Sequence, residues 1–309
     1  MNLRDLQYLV AVADKRHFGR AADACGVSQP TLSTQLAKLE RELGADLLER
    51  GRKVMLTAAG EQVVRRARVI LDEADGILQV ARQAGEPESG TVRLGLFPTL
   101  APYLLPHVVP MLRERFPHVE LLLVEEKSAV LLQQLRDGAL DAAVLAQPVQ
   151  DAQLVQEYLF SEDFVLAVPA NHPLGRLDEE GEATVDVSVL AGEQVLLLDE
   201  GHCLRDQAMD VCRIAGATER AGIRATSTET LRQMVAGGVG VTLLPQLAAL
   251  PPATLPAGLR LLRFADPAPQ RSLAMFWRPS SAQRALLPKV AEVLRDVPNG
   301  VLQQVCAQP

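Results

Sequence analysis

At 309 residues the chain holds roughly two to three domains' worth of sequence at ~100 to 200 residues each, and 48% apolar with 22% charged side chains excludes the disordered and collagen-like classes. A net charge of −7 argues against a nucleic-acid partner until its distribution is read: residues 1–90 carry 13 basic and 13 acidic side chains and residues 91–309 carry 18 and 25, so the whole acidic excess is C-terminal. Apolar runs such as Leu121 to Val124 and Val195 to Leu198 fall far short of the ~20 residues of a membrane-spanning helix. The start, Met1-Asn2-Leu3-Arg4-Asp5, has charge and amphipathic spacing in place of a signal peptide's basic start and continuous apolar core. The expectation is a cytoplasmic protein with no membrane partner. Four cysteines, Cys25, Cys203, Cys212 and Cys306, are too scattered for a disulfide scaffold or a zinc site, so no metal or cofactor is expected. In a reducing cytosol any disulfide is transient and functional.

Leu6, Leu9, Val10 and Ala13 predict a first helix, and Ala21, Ala22 and Cys25 a second that stops at Gly26. Ser28-Gln29-Pro30 reads as a cap with proline in the first turn of a third helix. There Leu32, Leu36, Leu39 and Leu43 mark the buried face, and Gly44 ends it. Thr31, Thr34, Lys38 and Arg41 lie on the opposite face, with Ser33 on its flank. Two helices around a tight turn, the second exposing small polar and basic groups, describe a helix-turn-helix; on periodicity alone any small three-helix bundle remains open. The segment Leu47 to Thr57 then reads as a hairpin with Arg50, Arg52 and Lys53 at its tip, a basic wing suited to phosphates. From Thr57, a natural N-cap, an amphipathic helix runs to about Gln83, with Val63, Ala67, Ile70, Ala74, Ile77, Ala81 and Ala84 as a heptad seam widened by Val64, Leu71 and Leu78. Such a seam packs on its own chain or on a second copy, and its thin, Ala-rich character favours the second. Gly85 to Gly90 is the expected linker.

Beyond Gly90 strand and helix patterns alternate, with strands predicted at Val92–Phe97, Val119–Glu125, Asp141–Ala146, Phe164–Val168, Val195–Leu198, Val239–Leu244, Leu259–Arg263 and Leu273–Trp277. The fold class is α/β with parallel sheets. Two lobes are expected, with the chain crossing near Ser161, returning near Pro267, and a site in the cleft between them. The expected division is 1–57 for the winged helix-turn-helix, 58–90 for the linker helix and hinge, 91–163 with 268–309 for one regulatory lobe, and 164–267 for the other.

These residues resemble the LysR-type transcriptional regulators. The resemblance is carried by Phe18-Gly19-Arg20-Ala21-Ala22, Val27-Ser28-Gln29-Pro30-Thr31-Leu32-Ser33, Leu39-Glu40, Leu43-Gly44, Leu47-Leu48-Glu49-Arg50 and Leu56-Thr57-Ala58-Ala59-Gly60. It implies an all-α winged helix-turn-helix, a dimerising linker helix, and a two-lobed α/β regulatory domain of periplasmic-binding-protein type. It also implies dimers and tetramers on double-stranded DNA with inverted-repeat half-sites. DNA-contacting candidates are Gln29, Pro30, Thr31, Ser33, Thr34, Lys38, Arg50, Arg52 and Lys53. The hairpin is a residue shorter than usual for the family, which leaves the wing contacts open.

Within that family, Leu198 to Cys212 resembles the redox segment of the peroxide-sensing members, supported by Pro98 to Pro106, Arg224 to Ser227, Glu229 to Arg232 and Thr242 to Pro245. Hydrogen peroxide, RNA polymerase and a thiol reductant such as glutaredoxin or thioredoxin are the further partners this implies. Cys203 and Cys212, nine positions apart, would lie ~13.5 Å apart along one helix, whereas a disulfide needs Cα atoms within roughly 4.4 to 6.8 Å. Joining them must melt the helix, which makes the bond a switch. The alternative is two unrelated buried cysteines. Cys203 stands where a strand hands over to a helix, near a positive dipole end and close in sequence to His202 and Arg205, as a reactive thiolate requires. By resemblance Cys203 is peroxidatic and Cys212 resolving, Thr99 holds peroxide, His202 and Asp206 handle protons, and Arg271 offers cationic donors. The ordinary alternatives are that Thr99 caps a helix, Asp206 pairs with Arg205 and Arg271 is a solvated loop charge. Cys25 and Cys306 are read as non-sensing. Two other functions stay open: a regulator with a small aromatic or carboxylate effector in the cleft, and a thiol peroxidase carrying a helix-turn-helix.

Overall fold

The structure, a computed structural model, describes residues 1–49, 54–83, 88–175 and 184–306. Helix α1 (Leu3–Lys15) begins with a capping box in which Asn2 and Asp5 satisfy each other's backbone N–H groups. Helix α2 (Phe18–Ala24) leads through the turn at Gly26 into α3 (Gln29–Leu43), whose first turn is capped by Ser28 and whose end is closed by Gly44 in the left-handed region. Leu32, Leu36 and Leu39 are buried as the spacing predicts, but Leu43 is exposed because the helix end projects past the small core. The hairpin forms, with a Leu48–Leu56 bridge, and Glu40 accepts both the Leu47 and Leu48 N–H groups to pin its base. Its tip, with Arg50, Arg52 and Lys53, lies outside the described residues.

Thr57 caps α4 (Ala58–Gln83) by accepting from the Gly60 N–H at 2.9 Å. A Cβ at Gly60 would stand 2.0 Å from the Leu47 carbonyl oxygen, so only glycine lets the helix pass this close to the hairpin. The heptad seam divides. Val64 is buried within the helix-turn-helix core and Ala67 is also buried, whereas Ile70 and Ile77 are 42% and 73% exposed. Side chains from residue 78 onward, residue 84 and the start of the expected linker lie outside the described residues.

The remaining chain is α/β in two lobes. Strands β1 (Gly90–Leu96), β2 (Val119–Glu125) and β3 (Ala142–Ala146) are parallel, with α5 (Ala101–Arg115) and α6 (Ser128–Arg136) as crossovers. Strand β4 (Val155–Pro169) runs out of this first lobe into the second, where it pairs with β8 (Thr242–Pro245) and β9 (Leu259–Phe264); β5 (Thr184–Val185) extends that edge. Strands β6 (Gln194–Leu198) and β7 (Thr218–Ala225) form a separate parallel pair, and β10 (Gln270–Trp277) returns the chain between β3 and β4. The expectation of parallel sheets is corrected here: β10 is antiparallel to both its neighbours, as β4 is to β8 and β9, because the chain goes out and comes back along the same boundary. The sequence reading missed β5, β7 and the first half of β4, and began β8 three residues early. Each lobe has its own core, one around Leu94, Leu104, Val144 and Met275, the other around Leu166, Leu197, Leu231 and Leu244. Helix α7 (Cys203–Ala215) and α8 (Thr228–Ala236) belong to the second lobe. The chain ends in α9 (Leu287–Cys306), held by Leu294 and Leu302 in the first core.

Candidate functional site

On α3, Gln29, Pro30, Thr31, Thr34 and Lys38 are all exposed and Ser33 is half-buried, so the face left free by the leucine stripe is available to a groove of DNA. Two hydroxyls are already engaged: Thr31 with Ser28 at 2.8 Å, and Thr34 with the Pro30 carbonyl oxygen at 2.8 Å. The Thr34 hydroxyl donates inward and so presents lone pairs and a methyl outward.

The second cluster forms where the lobes meet. Strand β6 ends at Leu198, a turn with Gly201 at φ +85° redirects the chain, and Cys203 becomes the first residue of α7 with His202 before it. Although α7 belongs to the second lobe, the Cys203 side chain packs against the core of the first, whereas Cys212 is buried in the core of the second. Both thiols are free and lie on one continuous helix.

Opposite Cys203 stand residues of the first lobe. Arg271 on β10 is 2% exposed, which excludes the solvated-loop alternative. Its Nε and Nη2 donate to Glu162 Oε1 at 2.9 and 2.7 Å; Nη2 also reaches the Thr99 carbonyl oxygen at 3.1 Å, and Nη1 the Thr99 hydroxyl oxygen at 3.3 Å. Glu162 Oε2 accepts from the Leu247 N–H at 2.8 Å, so both carboxylate oxygens are engaged in this dry setting. The Thr99 hydroxyl is thus an acceptor toward Arg271 and keeps its own proton for a neighbour. It does not cap a helix: α5 has no side-chain cap.

The electrostatics at Cys203 correct the sequence expectation of a depressed thiol. Burial pushes the Cys203 thiol up; the Arg271 charge leads the opposing influences, followed by Ser128, the Leu204 N–H and Thr99. Arg205 contributes little because its guanidinium is clamped by Glu219 at 2.8 and 2.7 Å and by the Leu198 carbonyl oxygen. His202 is buried and its imidazole is pushed down, first by burial and then by the Lys127 ammonium, with Asp199 acting against them. The Cys212 thiol is pushed up to about 11, chiefly by burial. Asp206 is exposed in the first turn of α7 and does not join the cluster; it also lacks the pairing with Arg205, which Glu219 takes. Cys25 ends α2 half-buried against the helix-turn-helix core, and the Cys306 side chain lies outside the described residues.

Sequence reasoning missed Glu162, Ser128, Lys127 and Glu219. Glu162 stands in the polar Ser161-Glu162-Asp163 stretch of β4, ahead of the apolar run that marked the strand, and neither it nor the others leave a signal in a single sequence. Among the described residues no group of metal-ligating side chains is present and no helix is long and apolar enough to cross a membrane.

A helix-turn-helix joined by a long helix to a two-lobed α/β domain is the plan of a LysR-type regulator. Residues 3–61 match the bacterial regulatory helix-turn-helix protein, lysR family, and residues 85–299 match the LysR substrate binding domain. The chain belongs to the LysR family of transcriptional regulators. Within it the chain is 47% identical over 309 residues to the DNA-binding transcriptional dual regulator OxyR of Escherichia coli (strain K12), covering 100% of this chain and 99% of that one. It is 43% identical over 303 residues to the hydrogen peroxide-inducible genes activator of Haemophilus influenzae, covering 98% and 99%. Among solved structures, a full-length OxyR variant from Pseudomonas aeruginosa superposes with a TM-score of 0.80 at 37% identity, covering 96% of this chain and 95% of that one.

Proposed function

We propose that this chain is a hydrogen-peroxide-sensing transcription factor that acts in the cytoplasm, with Cys203 as the reacting thiol and Cys212 as the resolving one. The observation that carries the reading is the placement of both thiols on one unbroken helix with their side chains in the cores of different lobes. The pair is ~13.5 Å apart along the axis and cannot be bridged without unwinding α7. Oxidation is thereby converted into a change of fold.

In the first step the Cys203 sulfur attacks one peroxide oxygen, the O–O bond breaks, and the departing hydroxide takes the thiol proton to leave as water, giving sulfenic acid. His202, kept neutral by burial, holds that proton in transit. The Thr99 hydroxyl and the Arg271 guanidinium orient the peroxide and stabilise the charge developing on its leaving oxygen. In the second step Cys212 sulfur attacks the sulfenic sulfur, the S–O bond breaks, water leaves and the disulfide forms. A thiol with its pKa near 11 is a poor nucleophile while buried, so Cys212 acts after the helix has opened. Asp206, at the surface of the turn that opens, is available to shuttle protons at that stage.

The exposed face of α3, with Gln29, Pro30, Thr31, Ser33, Thr34 and Lys38, reads one half-site of an inverted repeat, and the wing residues Arg50, Arg52 and Lys53 bind its phosphates. Dimers and tetramers of the chain carry the signal to RNA polymerase at antioxidant genes, and glutaredoxin or thioredoxin restores the dithiol. The division at 57, 90, 163 and 268 separates DNA reading, linkage and the two lobes. Mass spectrometry after stoichiometric peroxide tests the reading: a Cys203–Cys212 linkage is expected, and its absence overturns it.

A second reading, a small carboxylate effector, is favoured by a cleft of about 440 Å³ that includes Thr99, His202, Thr228 and Arg232. The Thr228 hydroxyl and Arg232 Nε are buried there with no hydrogen-bond partner among the described residues. Peroxide-independent activation by a carboxylate in a protein lacking both thiols would favour it.

A further inference from the structure

Lys127 precedes α6 in the first lobe and reaches across to the second. Its Nζ donates to the Glu200 carbonyl oxygen at 2.9 Å, in the turn from which α7 is hung. The side chain of Glu200 is turned elsewhere, toward Arg224 at 3.4 Å, and Asp199 faces the same arginine at 3.8 Å. The lysine therefore holds the backbone of the turn rather than forming an ion pair with its carboxylates. The next residue makes room for it. A Cβ at Gly201 would stand 3.2 Å from Lys127 Nζ and 3.3 Å from its Cδ, and φ at Gly201 is +85°, so a bare left-handed residue lets the lysine stem lie along the turn. Two residues further on, Cys203 packs into the core of the first lobe.

We propose that Lys127 is a positioning residue that tethers the Asp199–Gly201 turn to the first lobe in the dithiol state and so sets the redox potential of the Cys203/Cys212 couple. The inference rests on the redox reading above. To meet Cys212 in the core of the second lobe, Cys203 must leave the first lobe, and the turn that carries it must follow. The Lys127 hydrogen bond is made before that movement and lost after it. An interaction present in only one of two states shifts their equilibrium by its full differential strength. The tether stabilises the dithiol form, making the couple more oxidising and delaying resolution of the sulfenic acid. Lys127 is absent from the influences on the Cys203 thiol, where Arg271, Ser128, Leu204 and Thr99 act, and on His202 its charge comes second to burial, so the first oxidation step feels its loss only through the imidazole and is separable from the second.

The test uses the full-length chain with Lys127→Met, which keeps the apolar stem and removes the donor, and Lys127→Arg, which restores a cationic donor. Equilibration against dithiothreitol ratios is expected to show the disulfide favoured about tenfold more in Lys127→Met, equivalent to a potential about 30 mV lower for a two-electron couple, with Lys127→Arg returning toward the parent value. Conversion of sulfenic acid to disulfide should accelerate several-fold, while sulfenic acid formation, read by a dimedone-type probe in the Cys212→Ser background, stays within about twofold. An unchanged or raised potential in Lys127→Met overturns the proposal while leaving the redox reading intact. Failure of the parent chain to form the disulfide overturns both.

Discussion

Cys203 and Cys212 differ by nine positions and by everything around them. Cys203 is half-buried beside a guanidinium and a free hydroxyl proton, whereas Cys212 is 2% exposed among aliphatic side chains, where the Glu219 charge adds to the upward push of burial. A brief peroxide pulse followed by a dimedone-type probe is therefore expected to label Cys203 in Cys212→Ser, and to leave Cys212 unlabelled in Cys203→Ser; the reverse pattern swaps the roles. A second consequence concerns stability. In the folded dithiol form the Cys212 pKa is raised from 9.0 to about 11, so between those values the unfolded chain gives up a proton that the folded chain keeps. Stability must then fall as pH rises through that window, by an amount on the order of 2 kcal/mol. Denaturation midpoints under reducing conditions from pH 8 to pH 11 should show the loss, and Cys212→Ala should flatten it. Equal slopes in the two proteins would mean that Cys212 is hydrated in the native state. The sequence made the two thiols visible but not their ranking, because neither Arg205's diversion to Glu219 nor the approach of Arg271 from 68 positions beyond Cys203 leaves a local pattern.

At the scale of elements, the linker helix shows where sequence periodicity stops being informative. Its apolar seam is regular, yet Val64 and Ala67 are buried on the same chain while Ile70 and Ile77 stand open. A heptad pattern records that a face is apolar, not whose surface covers it. The polar side of the same helix is tied down: Arg68 meets Asp14 and Asp137, and Asp72 meets Arg278 and Arg93 from the first lobe. The open isoleucines are the part of the seam available to a second copy. Ile77→Asp places a charge twice in a symmetric contact, each costing several kcal/mol if buried, and sedimentation should show smaller species than the parent. Unaltered sedimentation would show that the exposed half of the seam is not an interface. Strand reading met a related limit. Apolar runs revealed β2, β6 and β10, but β7 reads Thr-Glu-Arg-Ala-Gly-Ile-Arg-Ala and pairs with β6 at the edge, so its polar sequence gave no strand signal.

At the scale of the molecule, the redox segment and the helix-turn-helix are joined through a series of packed pieces. In the proposed switch Cys203 leaves the first lobe on oxidation; that lobe grips α4 through Asp72, which burial pushes up in pKa while Arg278 and Arg93 pull it back. Helix α4 in turn packs Val64 into the helix-turn-helix core, with Val63 against it. If this is the route, the redox state and DNA affinity are coupled, and coupling free energies are reciprocal: DNA that favours the disulfide form must shift the dithiol–disulfide equilibrium toward the disulfide by the same factor by which oxidation tightens binding. Asp72→Asn keeps the shape but removes the charge that holds two arginines, so it should shrink the ratio of oxidised to reduced affinity toward unity in titrations at fixed salt. Lys38→Ala provides the contrast. Removing one phosphate contact should weaken both redox forms alike and flatten the dependence of log K on log salt by ~0.9, with the ratio preserved. A full redox ratio in Asp72→Asn, or a ratio altered in Lys38→Ala, would place the coupling elsewhere than in the grip of the first lobe on the linker helix.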